Sequence, residues 1–185
     1  MRCLLCLLLL LTSQLAAAQV QFPQIPQPAP VYSDEDKSWE VEPTTTVRRS
    51  NYHAPTPTSL PGGRVIRTSE LKELLATNAQ VVLMDVLNDK TRDTIPGAYW
   101  LAGAGSGDFY GAEKARFAAA LEKLTAGDKD RALVFLCLGS KCWLSYNAAL
   151  HALEAGYKDV IWYRGGTDAW GAAKLNLRRA DPFGW

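Results

Sequence analysis

Long apolar runs and an excess of charge of one sign are both missing from this 185-residue chain. The apolar stretch over residues 3–11 is too short to serve as a permanent membrane anchor, and no later stretch is longer. Lysine and arginine number 20 against 19 aspartates and glutamates. Such a balance gives no electrostatic reason to bind nucleic acid or an anionic membrane. We therefore expect neither nucleic acid as a partner nor a membrane anchor.

Metal-binding side chains are also scarce, with two histidines and four cysteines. Cys137 and Cys142, even with His53 or His151, make an incomplete zinc set. We expect His53 to lie in a surface loop and His151 to face solvent from a helix. The sequence therefore predicts no metal site and no cofactor.

The first residues have the pattern of a secretory signal peptide. Met1-Arg2 supplies a short cationic start, an apolar core follows, and Ala16-Ala17-Ala18 gives a small-residue cleavage site. We expect cleavage after Ala18 and a periplasmic or secreted protein. Cys3 and Cys6 would leave with the signal peptide, so Cys137 and Cys142 would be the two cysteines of the mature chain.

Proline is concentrated in residues 19–61, which carry eight of the ten prolines. Because proline disfavours helix and cannot donate a hydrogen bond to a sheet, this extension is predicted to be extended or disordered. Aromatic and apolar residues between positions 52 and 61 suggest that this part lies against the domain. The domain itself is expected at residues 62–180, followed by a tail at 181–185.

Strand and helix patterns alternate through the domain. Strands are predicted at residues 65–67, 81–86, 99–101, 132–137 and 159–163, and helices from residue 68, at 112–124, after residue 142 and after residue 165. This alternation predicts an α/β fold with a parallel sheet and right-handed crossovers.

Cys137 ends the apolar run that begins at Ala132, and a helical pattern follows Cys142. The carboxyl edge of a parallel sheet is where ligands bind, and a helix N-terminus favours a thiolate. In an oxidising compartment the two thiols are a potential disulfide. A loop this short gains little stability from closure, which favours a redox-active bond. The alternative is a pair of buried cysteines that act as small hydrophobic residues.

Four ordered segments resemble the rhodanese-like domain family. They are the first helix at residues 68–75, the strand that ends in Asp85-Val86, the turn Ile95-Pro96-Gly97-Ala98, and residues 156–170 with Arg164-Gly165-Gly166. The resemblance implies a five-stranded parallel sheet with helices on both faces. It also implies a catalytic nucleophile at Cys137, with a loop that binds the transferred sulfur. The loop residues are Leu138, Gly139, Ser140, Lys141 and Trp143.

The chain departs from the usual family pattern at two places. Leu87 stands where an arginine usually follows Asp-Val. The active loop is about two residues longer than usual and has no arginine, so Lys141 offers only a point charge. Arg164 is a candidate for the missing cation. Ordinary thiosulfate cleavage loses its expected anion clamp.

Within the superfamily, Cys137-x₄-Cys142-Trp143 followed by Ser-Tyr-Asn-Ala-Ala most resembles the exported CXXCW-motif proteins associated with pyrroloquinoline-quinone-dependent catabolism. The cysteine spacing is longer here than in that motif. This resemblance implies a role beside periplasmic alcohol oxidation.

Two functions remain open at this point. In the first, Cys137 attacks a sulfane sulfur or a disulfide, Cys142 resolves the adduct, and Lys141 favours the thiolate. In the second, the chain is a non-catalytic accessory module for a quinoprotein dehydrogenase or a periplasmic transport component. Trp143 and Trp170 would then line one aromatic pocket. The alternative is that Trp170 lies in the core and Trp143 closes the loop. Asp85 is interpreted as structural, holding loop amides by hydrogen bonds.

Overall fold

The computed structural model describes residues 29–185. The expected signal peptide, residues 1–18, and the first part of the extension lie outside the described residues. The strands are β1 (Arg64–Val65), β2 (Val82–Asp85), β3 (Arg92–Thr94), β4 (Tyr99–Trp100), β5 (Leu133–Leu136), β6 (Val160–Trp162) and β7 (Arg178–Ala180). The helices are α1 (Thr68–Thr77), α2 (Gly111–Thr125), α3 (Trp143–Glu154) and α4 (Gly166–Ala172). No helix within the described range is long and apolar enough to cross a membrane.

Five of these strands form one sheet in the order β1-β6-β5-β2-β4, and every neighbouring pair is parallel. β5 lies in the centre, hydrogen-bonded to β2 on one side and to β6 on the other. All residues of β2 and β5 are buried, as the continuous apolar runs predict. The predicted five-stranded parallel sheet is confirmed, and Cys137 follows its central strand.

Side chains of alternate strand residues enter two separate cores. Met84 of β2 packs with Phe117 of α2 and Tyr146 of α3, whereas its neighbour Leu83 packs with Leu71 of α1. Because successive strand residues point to opposite faces, α2 and α3 cover one face and α1 and α4 the other. The helices therefore lie on both faces of the sheet, as predicted.

A second, antiparallel pair of strands was not predicted. β3 pairs with β7, with Arg92 opposite Ala180 and Thr94 opposite Arg178. The residues after β7 also pack on the domain, since the amide of Phe183 donates to the carbonyl of Trp100 at 2.8 Å. The last residue, Trp185, lies against Phe117.

The described part of the extension lies along the domain. Glu35, 4% exposed, accepts hydrogen bonds from the amide and the hydroxyl of Thr68 at the start of α1. The hydroxyl of Tyr146 in α3 bonds to both the amide and the carbonyl of Thr44. A side chain of the extension thus binds the start of α1, and a side chain of α3 binds the backbone of the extension. Such contacts explain how a proline-rich stretch packs without joining the sheet.

Candidate active site

The two cysteines lie at either end of a short loop between β5 and α3. Cys137 directly follows β5, and Cys142 directly precedes α3. They are joined by a disulfide bond, with their Cα atoms 6.5 Å apart. Cys137 is 1% exposed and Cys142 is fully buried. The structure thus brings together the two residues that the sequence singled out, in a closed site.

A hydroxyl group lies beside the sulfur of Cys137. Ser145 Oγ is 3.3 Å from Cys137 Sγ, and the indole N–H of Trp162 donates to the same Oγ at 3.0 Å. Because Ser145 accepts the indole proton, its own proton can point to the sulfur. Ser145 was not predicted, although its spacing of three residues from Cys142 in a predicted helix places it on the same face.

The loop backbone is held by the first residues of α4. The amide of Thr167 donates to the carbonyl of Cys137 at 3.0 Å, and that of Asp168 donates to Leu138 at 2.8 Å. Gly166 adopts a φ of +56°, and a Cβ at this position would lie 2.4 Å from the carbonyl oxygen of Leu138. The Gly-Gly turn therefore permits a close backbone contact with the active loop.

A buried ion pair lies behind the loop. Arg92 Nε donates to Asp85 Oδ2 at 2.6 Å, and the two side chains are 8% and 0% exposed. Asp85 also accepts bonds from the amide of Leu87 and the hydroxyl of Thr94, which agrees with a structural role. Arg92 Nη2 reaches the carbonyl of Cys137 at 3.3 Å. Arg92 was not predicted, because β3 carries no recognisable strand pattern.

The remaining loop residues face in different directions. Gly139 and Ser140 are buried, and Leu138 is half-buried. Lys141 is exposed, with its Nζ 4.5 Å from the ring centroid of Trp39 in the extension. The amide of Cys142 donates to the carbonyl of Gly139, and that of Trp143 donates to Tyr52. These two amides thus bind carbonyl groups of the chain itself.

The idea that Trp143 and Trp170 line one pocket is wrong. Trp143 belongs to the core on the α3 side of the sheet, and Trp170 belongs to the opposite core. Their indole N–H groups donate to the carbonyls of Pro55 and Asn176, respectively. Both tryptophans pack in the fold, and Trp143 also closes the loop.

Arg164 is 1% exposed, and its guanidinium binds the extension. Nε and Nη2 donate to the hydroxyl and carbonyl oxygens of Thr56. Further bonds go to the carbonyls of Asp34, Glu35 and Lys37. The suggestion that Arg164 supplies the cation of the loop is therefore replaced by a structural role.

The expectation that His151 faces solvent is wrong. The residue is 5% exposed, stacks on Phe109 with ring centroids 4.6 Å apart, and bonds through Nε2 to the carbonyl of Ser106. Burial lowers the pKa of His151 because the charged form loses its hydration. Leu150 and Leu153, close to His151 in the sequence, are the local signal for its apolar environment.

This arrangement suits thiol–disulfide chemistry. With two electrons and two protons from an external dithiol, the disulfide at the end of the central strand can be reduced to two thiols, and an oxidant can form it again. Once the bond is open, the Ser145 hydroxyl can donate a hydrogen bond to the Cys137 sulfur.

Comparison with known proteins agrees with the fold. A family model of the rhodanese-like domain matches residues 67–173, which is more than half of the chain. No curated protein matches the chain.

Similar solved structures include a thiosulfate sulfurtransferase from Pseudomonas aeruginosa (21% identity, TM-score 0.48), covering 70% of this chain and 21% of that one. Others are a polysulfide-sulfur transferase homodimer from Wolinella succinogenes (18%, TM-score 0.43; 63% and 79% covered) and an uncharacterized protein from Saccharomyces cerevisiae (22%, TM-score 0.46; 61% and 97% covered). The chain spans about a fifth of the length of the Pseudomonas protein. By its fold and its family match, the chain belongs to the rhodanese-like domain family.

Proposed function

We propose that this chain is an exported thiol protein in which the Cys137–Cys142 pair performs thiol–disulfide exchange in support of pyrroloquinoline-quinone-dependent alcohol catabolism. The observation that carries the proposal is the bond between two cysteines at the end of β5, where the family resemblance expects the nucleophile. Stable sulfur carriage is less favoured, since Cys142 lies within bonding reach of any sulfur held on Cys137.

In the exchange reaction, a dithiol partner transfers two electrons to the Cys137–Cys142 disulfide. A thiolate of a dithiol partner attacks one sulfur of the pair and forms a mixed disulfide, which releases the other cysteine as a thiolate. The partner's second thiol then displaces the remaining cysteine. The partner leaves as a disulfide, and Cys137 and Cys142 become thiols.

Sulfur transfer is the related reaction that the same site would perform from its reduced state. The Cys137 thiolate would attack the sulfane sulfur of a polysulfide donor, which breaks an S–S bond and releases the rest of the donor as a thiolate. Cys142 would then attack the inner sulfur of the resulting Cys137 persulfide. That attack forms the Cys137–Cys142 bond and releases hydrosulfide, so atoms and charge balance.

Intact mass measurements separate these reactions. The pre-reduced chain and a Cys142→Ser variant are incubated with polysulfide. If Cys142 resolves a persulfide on Cys137, the wild-type chain returns to the mass of its disulfide form. The variant lacks Cys142, so it should keep the added sulfur on Cys137. If Cys137 of the variant gains no sulfur, sulfur transfer is excluded. If no dithiol reduces the wild-type bond, exchange is excluded.

A second candidate function is a non-catalytic accessory module for a quinoprotein dehydrogenase or a periplasmic transport component. The burial of both sulfurs favours this candidate, because a substrate has no direct path to them in the closed site. Mixing the purified chain with a quinoprotein alcohol dehydrogenase and measuring co-elution tests it. Co-elution that persists in a Cys137→Ser and Cys142→Ser double variant supports the accessory role.

Export and the place of cleavage are part of the proposal. They are supported by the cationic start, the apolar run and Ala16-Ala17-Ala18. Mass spectrometry of the protein from a periplasmic extract should give a mature chain that begins at Gln19. Recovery of the uncleaved chain from the cytosol alone would contradict this part.

A further inference from the structure

Residues 52–56, here called the strap, run across the Cys137–Cys142 loop. The carbonyl of Tyr52 accepts the amide of Trp143 at 2.8 Å, and the carbonyl of Pro55 accepts the indole N–H of Trp143, also at 2.8 Å. At the far end, the amide and the hydroxyl of Thr56 both donate to the carbonyl of Ser140, at 3.1 and 2.7 Å. Both ends of the strap are therefore hydrogen-bonded, one to Ser140 in the loop and the other to Trp143 directly after it.

Thr56 connects this strap to the body of the domain. It is fully buried, and its hydroxyl accepts a bond from Arg164 Nε at 3.1 Å while it donates to Ser140. Arg164 Nη2 donates to the carbonyl of the same residue. One hydroxyl group thus joins a buried cation to the active loop.

The strap also packs on the core cluster to which the disulfide belongs. Tyr52 and Ala54 are partly buried against the core cluster that contains Cys137, Cys142 and Trp143. Because both cysteines are nine-tenths or more buried, a reductant cannot reach a sulfur until something moves. The strap belongs to no helix or strand and is held by a few bonds, so it can open at lower cost than the sheet.

We propose that the strap is a gate that controls access of thiols to the Cys137–Cys142 bond, with the Thr56 hydroxyl as its latch. In the closed state the bond is protected. In the open state a dithiol reductant attacks it, leaves as a cyclic disulfide and yields two cysteine thiols. This inference rests on the proposed function, since only a disulfide that exchanges needs a gate.

The test measures how fast dithiothreitol reduces the disulfide in the folded, full-length chain, with alkylation of the new thiols and intact mass as the readout. Thr56→Val removes the hydroxyl and keeps the shape and the backbone bonds. We expect roughly tenfold faster reduction, because the variant loses the hydrogen bond from the Thr56 hydroxyl to the carbonyl of Ser140. It also leaves Arg164 Nε without its partner. Thr56→Ser, which keeps the hydroxyl, should react at nearly the wild-type rate.

Thr125→Val is the matched control. Thr125 is 1% exposed and its hydroxyl is also hydrogen-bonded, to Leu121, Glu122 and Tyr157, but it lies at the end of α2. This variant should lose global stability without faster reduction. Equal acceleration in Thr125→Val and Thr56→Val would overturn the gate, and so would a Thr56→Val rate equal to that of the wild type.

Amide hydrogen exchange gives an independent readout. In Thr56→Val the amides of Trp143 and Thr56, which bind across the strap, should exchange faster, while that of Leu133 in β5 should not change. Unchanged exchange at Trp143 would contradict the gate. If reduction accelerates as expected but the reduced chain exchanges with no partner, the gate stands and the proposed function fails.

Discussion

Arg92 Nε donates to Asp85 Oδ2 at 2.6 Å, and the same guanidinium reaches the carbonyl of Cys137 at 3.3 Å. The aspartate that ends β2 is thus linked, through one buried cation, to the loop that follows β5. Removing one member of such a pair leaves a buried charge without its partner.

We therefore expect Asp85→Ala to lower the free energy of unfolding by about 3–5 kcal/mol, because Arg92 would remain buried and uncompensated. Urea denaturation of the oxidised chain measures it. Asp130→Ala is the control, since it removes an ion pair to Lys158 whose side chains are 72% and 71% exposed. That pair should contribute under about 1 kcal/mol. Equal losses in the two variants would refute the structural role of Asp85.

The contact of Gly166 with the active loop gives a second prediction. Gly166→Ala adds a Cβ at 2.4 Å from the carbonyl oxygen of Leu138 and imposes a φ of +56° on alanine. We expect a loss of about 2 kcal/mol or more in unfolding free energy. Gly171→Ala, in the same helix with open space around its Cβ, should be neutral or slightly stabilising. A Gly166→Ala variant as stable as Gly171→Ala would contradict the close contact.

Ser145 should set the reactivity of Cys137 in the reduced state. In a Cys142→Ser background, Ser145→Ala should raise the pKa of Cys137 and slow its alkylation at neutral pH by about tenfold, because a thiolate loses a hydroxyl donor. The measurement is the pH profile of alkylation. Trp162→Phe keeps the hydroxyl but frees it from the indole, so a smaller change is expected. A profile with an unmoved midpoint in Ser145→Ala would exclude this role.

Burial of His151 predicts that stability depends on pH. The pKa of His151 is lowered in the folded chain, so the unfolded chain binds a proton first as the pH falls below about 6.5. The contribution of neutral His151 to the free energy of unfolding should therefore be fully present above that pH. It should fall progressively below that pH, until the folded chain also binds the proton. His151→Gln should flatten this part of the profile, measured by urea denaturation at several pH values. The exposed His53→Gln should retain the wild-type slope, and an equal flattening there would contradict the assignment.

Much of the fold could be predicted because its signals are local. The apolar runs at β2 and β5 mark buried strands, and the order of the motifs indicates the topology. The pairing of β3 with β7 was missed, since polar residues such as Arg92 and Arg178 give no strand pattern. The prediction that His151 faces solvent was also wrong, because the aromatic residues that cover it come from other parts of the chain.

The candidate site was predicted in part for the same reason. Cys137 and Cys142 are five residues apart and come directly after a clear strand, so their place at the sheet edge was predictable. Their closure by the strap was not, because the contacts of Thr56 join residues about 84 to 108 positions apart. Long-range bonds from an irregular, proline-rich segment leave no periodic signal.

The most direct test of the account is a redox titration of the native, full-length chain in dithiothreitol buffers of increasing reducing strength. Thiols are counted by alkylation and intact mass, and the amide signals of β2 and β5 report whether the sheet is intact. We predict one two-electron transition that yields two thiols at Cys137 and Cys142 while the sheet signals persist. Thiols that form only when those signals are lost would show a purely structural bond and contradict the proposed exchange.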